Sequence, residues 1–209
     1  MLRHTPASTS MISMDQYRRL WEPLLQEGQD VLHVGMSSGI SGAYQSAVMA
    51  ARELREAYPD RRLVVFDTRA ASLGEGIQVL HAATCREAGY TLDETVRELT
   101  ELRPRIRQIF TVDDLMYLKR GGRISAATAL VGTMLKVKPV LHVDNEGHLI
   151  NMFKVRGRKA SLQALIDKVA ELGIEPSEQT MFICHADCEV EARAVAEELK
   201  ARYGVKEVY

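Results

Sequence analysis

The hexapeptide Ser37-Ser38-Gly39-Ile40-Ser41-Gly42 lies between a short apolar run and an amphipathic one. In an open parallel sheet, ligands bind beyond the carboxyl ends of the strands. A helix start at that point offers unpaired backbone N–H groups and the positive end of a dipole, and hydroxyls beside it can complete an anion site. The same residues serve equally well as a tight turn with Ser41 or Gly42 as N-cap. The GK[ST] ending of a P-loop is missing, and so is GxGxxG. Thr9-Ser10, just before the first helical pattern, reads by itself as a capping or frayed terminus. In Gly121-Gly122-Arg123-Ile124-Ser125 the glycines permit a close turn, and the arginine fork can grip a carboxylate or phosphate with two hydrogen bonds. The alternative is a helix C-cap at Gly121, an N-capping Ser125 and a solvated Arg123.

Cys184-His185-Ala186-Asp187-Cys188 carries metal-ligand residue types. Cys184 and His185, however, end a strand on opposite faces, and no second Cys/His pair stands nearby to complete four ligands. A strand-to-helix turn is the simpler reading. Asp67-Thr68 offers a polar rim at another strand end. His33, His81, His142 and His148 read as strand, helix and turn residues, and no GxSxG elbow supports a Ser-His-Asp triad.

These residues need elements to position them. Residues 13–27 carry apolar residues at helical spacing behind a capping box, Ser13 with Gln16, and Pro23 inside warns of a kink. Strands are predicted at 30–36, 63–68, 107–112 and 180–185. Helices are predicted at 43–57, 73–88, 92–103, 113–119, from Ser125 to Met134, at 159–172 and at 188–203. The run 138–155 reads as a hairpin around Asp144-Asn145-Glu146-Gly147. Strands alternating with helices imply right-handed βαβ units and a mostly parallel first lobe, and the hairpin marks a second lobe of α+β character. The expected division is 1–112 and 113–209.

Composition narrows the function classes. With 27 Lys+Arg against 28 Asp+Glu in 209 residues, no overall basic field points to nucleic acid or an anionic membrane. Three cysteines without CxxC fit reduced thiols and a cytoplasmic protein better than a disulfide framework. The first residues lack the apolar core of a secretory signal, and no window approaches the ~18 apolar residues of a membrane span.

Taken together, the motifs resemble the DegV family of bacterial fatty-acid-binding proteins. Thr9-Ser10 with Ser13 is similar to its TSxPS start, and SSGISGAYQSA at 37–47 to its SSxLSGTYQSA. FDT at 66–68 with Ser72, Leu73, Gly74 and Gly76 resembles its strand DS and S-x-G-x-G. DDLMYLKRGGRIS at 113–125 and MLKVKPVLHVDNEGHL at 134–149 resemble its xxLxYLKKGGRIS and LLxIKPIL…dG blocks. The resemblance implies an α/β fold of two lobes, one Rossmann-like and one α+β, with a ligand tunnel between them. It implies a non-enzymatic carrier without cofactor that binds a long-chain fatty acid and presents it to a separate ATP-dependent kinase. The carboxylate would be held by Thr9, Ser41 and Arg123, with Ser10, Ser38, Gly42 and Gly122 in support. Arg156 would help dock the kinase. Against the family pattern this chain lacks an opening βα unit and a closing H-T-G-P-G segment, so a truncated first lobe is expected. Two other readings stand beside the carrier. One is a phosphotransferase or hydrolase using the 37–42 loop as an anion cradle, and the other is an interaction module that binds no lipid.

Overall fold

The computed structural model describes residues 9–124 and 136–209. Ser125, the expected helical run to Met134, and Met134-Leu135 of the block at 134–149 lie outside the described residues. Helix α1 (Met14–Gln26) starts where expected: the Gln16 N–H donates to Ser13 Oγ at 3.3 Å, and the Ser13 N–H donates to Gln16 Oε1 at 2.9 Å. Its buried residues Tyr17, Trp21 and Leu25 recur every four positions, which places them on one stripe. Pro23 lies inside the helix, which runs on for three more residues.

Strand β1 (Val31–Gly35), helix α2 (Ala43–Ala57) and strand β2 (Leu63–Asp67) form one βαβ unit. The strands pair in parallel, from Val31 opposite Leu63 to Gly35 opposite Asp67. Ala47, Ala50, Ala51 and Leu54 turn one face of α2 inward against Tyr17, Trp21, Leu25, Val31 and Leu63. Small residues on this face let the helix approach closely, and Leu54 fills the remaining space at 2% exposure. His33 sits among these aromatics, 5.2 Å from the Tyr17 ring and 5.3 Å from Trp21. Burial pushes its imidazole below the usual range, so it is a neutral packing residue at pH 7. Helices α3 (Leu73–Glu87) and α4 (Leu92–Leu102) follow and pack on each other. The second opens with another capping box, from Thr91 and Glu94.

Strand β3 (Ile109–Thr111) leaves the parallel arrangement. It pairs antiparallel with β4 (Val137–Val143), which pairs with β5 (Leu149–Arg156), in the order β3-β4-β5. The strand just before residue 112 is therefore hydrogen-bonded into the second sheet. Helix α5 (Met116–Arg120) follows β3, and Leu115, Ile124 and Leu141 form a separate apolar cluster there. Helix α6 (Arg158–Leu172), strand β6 (Thr180–Met181), helix α7 (Glu189–Tyr203) and strand β7 (Glu207–Val208) complete the fold. β6 and β7 pair in parallel. β6 is shorter than the expected strand 180–185: the Ile183 N–H still donates to Tyr209 O, but the chain then turns through Cys184 to Cys188, with Asp187 at φ +55°. The architecture is mixed α/β, with a parallel βαβ unit and an antiparallel sheet flanked by helices.

Candidate functional site

The loop from Ser37 to Gly42 links the carboxyl end of β1 to the start of α2, the place where an open α/β sheet holds ligands. Its amides are spent internally. The Ser38 N–H donates to Asp67 Oδ1 at 3.2 Å, and the Gly39 N–H to Ser37 Oγ at 3.1 Å. The Ile40 and Ser41 N–H groups both donate to Ser37 O at 3.1 Å. The open amide cradle expected of an anion loop is thus absent over residues 38–41. Gly42 is the N-cap of α2 and makes no side-chain cap. The Ala43 N–H is taken instead by Ser41 Oγ at 3.2 Å. A hydroxyl that accepts from the backbone keeps its own proton to donate. Ser41 is half-buried and Ser38 exposed, so the loop offers hydroxyl protons rather than amides.

Three elements hold this loop. Ser37 is wholly buried; its N–H donates to Ala70 O at 2.9 Å and its hydroxyl to Gly147 O at 2.8 Å. Gly147 closes the β4–β5 hairpin 110 residues away. The hairpin turn is shaped by Asp144, whose Oδ1 accepts from the Glu146 N–H at 2.9 Å and the His148 N–H at 2.8 Å. Partial burial pushes the Asp144 carboxyl up. The two backbone donors outweigh that and hold it below the usual carboxylate range. From the first unit, Arg69 reaches across to Asn145 O at 2.8 Å and to Glu146 Oε1 at 3.4 Å. Beneath the loop, Thr68 is buried and donates to Gly35 O at 2.7 Å, while Asp67 also accepts the Arg69 N–H at 2.9 Å. Asp67-Thr68, flagged in the sequence as a polar rim, is the floor of the loop. Arg69 carried no signal of its own, and Gly147 was legible only as a turn residue, because the contact that uses them spans the chain.

The other candidate residues are placed less tightly. Thr9 and Ser10 are exposed. The side chain of Met11, next in the chain, lies against Gly42: a methyl built there would meet Met11 Sδ at 3.1 Å. The amino-terminal segment therefore runs beside the loop that carries Ser41. Gly121 is the C-cap of α5, Gly122 takes φ +75°, and Ile124 is buried. Arg123 is exposed, with its guanidinium bonded to Gly121 O. Among the described residues no hydrogen bond or ion pair joins Arg123 to Ser41 or Thr9. Arg156 is exposed at the end of β5. Cys184 is exposed and accepts the Ser72 hydroxyl at 3.1 Å, and Cys188 begins the turn into α7.

A cavity of about 530 Å³ opens between the first unit and the hairpin. Its lining includes Arg69, Arg103, Arg107, Gln108, His142 and Asp144, with Pro104, Ile106, Val143, Met152 and Leu172 as the apolar part. Arg103 donates to Asp67 O at 2.8 Å and stacks over Phe66, 5.2 Å from the ring centre. Burial, then the neighbouring Arg69 charge, pushes its guanidinium below the usual arginine range. The three arginines in its wall suit polar or anionic groups better than an acyl chain. Among the described residues no helix is long and apolar enough to cross a membrane.

A family model described as "Uncharacterised protein, DegV family" matches residues 2–209. A DegV domain-containing protein of Clostridium perfringens is 39% identical over 201 residues, covering 96% of this chain and 69% of its own length. The structure of DegV from Bacillus subtilis, described as a fatty acid binding protein, superimposes with a TM-score of 0.81 at 33% identity, covering 97% of this chain and 70% of that one. A DegV family protein from Ruminococcus gnavus, refined with vaccenic acid, gives a TM-score of 0.85 at 28% identity, covering 99% of this chain and 72% of that one. The chain belongs to the DegV family.

Proposed function

We propose that this chain binds a long-chain fatty acid as a non-enzymatic carrier. The hydroxyls of Ser41 and Thr9 hold the carboxylate and Arg123 supplies the neutralising charge. Ser10, Ser38, Gly42 and Gly122 shape the surroundings, and the tail lies in a tunnel between the lobes 1–112 and 113–209. The observation that carries this reading is the state of the 37–42 loop. The amides of residues 38–41 are paired, and among the described residues the Ser41 hydroxyl accepts the Ala43 N–H and donates to no partner, at the strand end of a fold shared with relatives described with fatty acids. A carboxylate entering a poorly hydrated site needs donors or a cation, or its pKa rises and it protonates. Burying a sixteen-carbon tail at about 0.8 kcal/mol per CH₂ supplies on the order of 10 kcal/mol before ordering costs.

The carrier reading includes delivery to a partner. The exposed Arg156 at the end of β5 is a docking contact for an ATP-dependent kinase that makes the acyl phosphate, in the cytoplasm. The paired amides of residues 38–41 argue against phosphoryl transfer on this chain itself. Native mass spectrometry of the purified protein tests the reading. The wild type carries the mass of one fatty acid, or takes it up on loading with oleate, and Ser41→Ala and Arg123→Ala lose it. Wild type and both variants remaining empty after loading overturns the proposal.

A further inference from the structure

We infer that the hairpin turn Asp144–Gly147 is the positioning element for the 37–42 loop, a latch from the second sheet that sets where the Ser41 hydroxyl points. The link to lipid binding rests on the fatty-acid reading above; the latch itself rests on geometry alone. Ser37 is the junction. Its hydroxyl donates to Gly147 O at 2.8 Å and accepts the Gly39 N–H at 3.1 Å, so the turn's carbonyl orients the oxygen that orients the loop. The Ser37 carbonyl then takes the Ile40 and Ser41 N–H groups, which passes that orientation on to Ser41.

The fit is close on both sides. A methyl at Gly39 would meet Gly147 O at 2.8 Å, and a methyl at Gly147 would run into Ser37 Oγ. Gly147 also takes φ +84°, a conformation that other residues adopt at a cost. Arg69 fixes the outer side of the turn through Asn145 O, and Asp144 fixes its shape through two N–H groups. Loop and turn thus have two interlocked glycines, one buried hydroxyl and one guanidinium between them. A chain of this kind has a defined docked arrangement, and a small shift at the turn is passed to Ser41 instead of being absorbed by loose packing. Gly147 and Arg69 act through Ser37 and need not touch ligand.

Amide hydrogen exchange and oleate titration on the full chain test this together, with wild type, Gly147→Ala, Arg69→Ala, Arg69→Lys and Ser41→Ala. Exchange at Gly39, Ile40 and Ser41 quickens about tenfold in Gly147→Ala and about threefold in Arg69→Ala, and Arg69→Lys restores part of the protection. Oleate affinity falls in the same order. Ser41→Ala loses oleate but keeps its slow loop exchange, apart from residue 43, whose cap is removed. Unchanged exchange at residues 39–41 in both Gly147→Ala and Arg69→Ala overturns the latch, whatever the lipid result. Faster exchange with unaltered oleate affinity overturns its role in binding. A wild type that takes up no oleate sinks the fatty-acid reading, and the exchange comparison still decides the latch.

Discussion

The loop at 37–42 and the turn at 121–124 are both short, glycine-bearing connections with a candidate ligand residue, yet they are held in opposite ways. The loop is fixed from afar: Asp67 ends the neighbouring strand, Ala70 lies three residues beyond it, and Gly147 is 110 residues away. The turn is fixed locally. The Gly121 N–H reaches back to Tyr117, the Arg123 N–H to Leu118, and the Arg123 guanidinium to Gly121 O. Under the proposed reading, the loop's long-range contacts through Ser37 and Ser38 pre-orient Ser41 for a carboxylate, whereas Arg123 on its exposed local turn is recruited by the ligand's charge, so loss of each should be felt differently.

The largest effect lies in the core of the first unit. Leu54 is 2% exposed on α2, the helix that follows the loop, and Leu54→Ala costs about 2–5 kcal/mol in chemical denaturation. Ile124, at 8%, anchors the turn, and Ile124→Val costs only about 0.5–1.5 kcal/mol. Equal losses would erase the contrast. Next comes Ser37→Ala, which strands the Gly147 carbonyl and the Gly39 N–H in a buried place. A loss of about 1–3 kcal/mol is expected, and a loss near zero would mean that water replaces the hydroxyl.

Acid weakens the loop's outer support. Asp144 has a carboxyl pKa below its unfolded value, so its contribution is fully present above the unfolded value near 3.9. It is lost as pH falls through the folded value below that. The protection of amides 39–41, taken relative to their intrinsic exchange rate at each pH, should therefore fall below about pH 4 in wild type, and Asp144→Asn should show less of this acid-induced loss. The smallest effect on stability is Arg123→Ala, within about 0.5 kcal/mol because the side chain is exposed, though oleate binding drops. A large fall in stability with binding intact would assign Arg123 a structural task instead.

Much of the framework was legible from local chemistry. The Ser13–Gln16 box marks the start of α1, the alanine-rich face of α2 matches its burial, and the DNEG turn sits where the hairpin closes. These signals act within a few residues, which is the range at which sequence pattern speaks. The partner of β3 was not legible. A three-residue strand has no period to read, and nothing in Ile109–Thr111 distinguishes an antiparallel neighbour from a parallel one. The early end of β6 was hidden for the same reason. At the site, Ser41 and Ser38 were visible as hydroxyls on a strand-to-helix loop. Asp67, Ser37 and Gly147 decide which donors that loop has left, and this became visible only once the hairpin had folded back onto it.

At the centre of the proposed site, the Ser41 hydroxyl donates its proton to a carboxylate. ¹³C NMR of oleate labelled at its carboxyl carbon, titrated with pH in complex with the protein, reads that contact directly. Bound to wild type, the carboxyl signal should be single, distinct from free lipid, and remain in its ionised position to a lower pH than in Ser41→Ala, where it weakens or disappears. A bound signal with the same shift and titration in wild type and Ser41→Ala would contradict this role of Ser41.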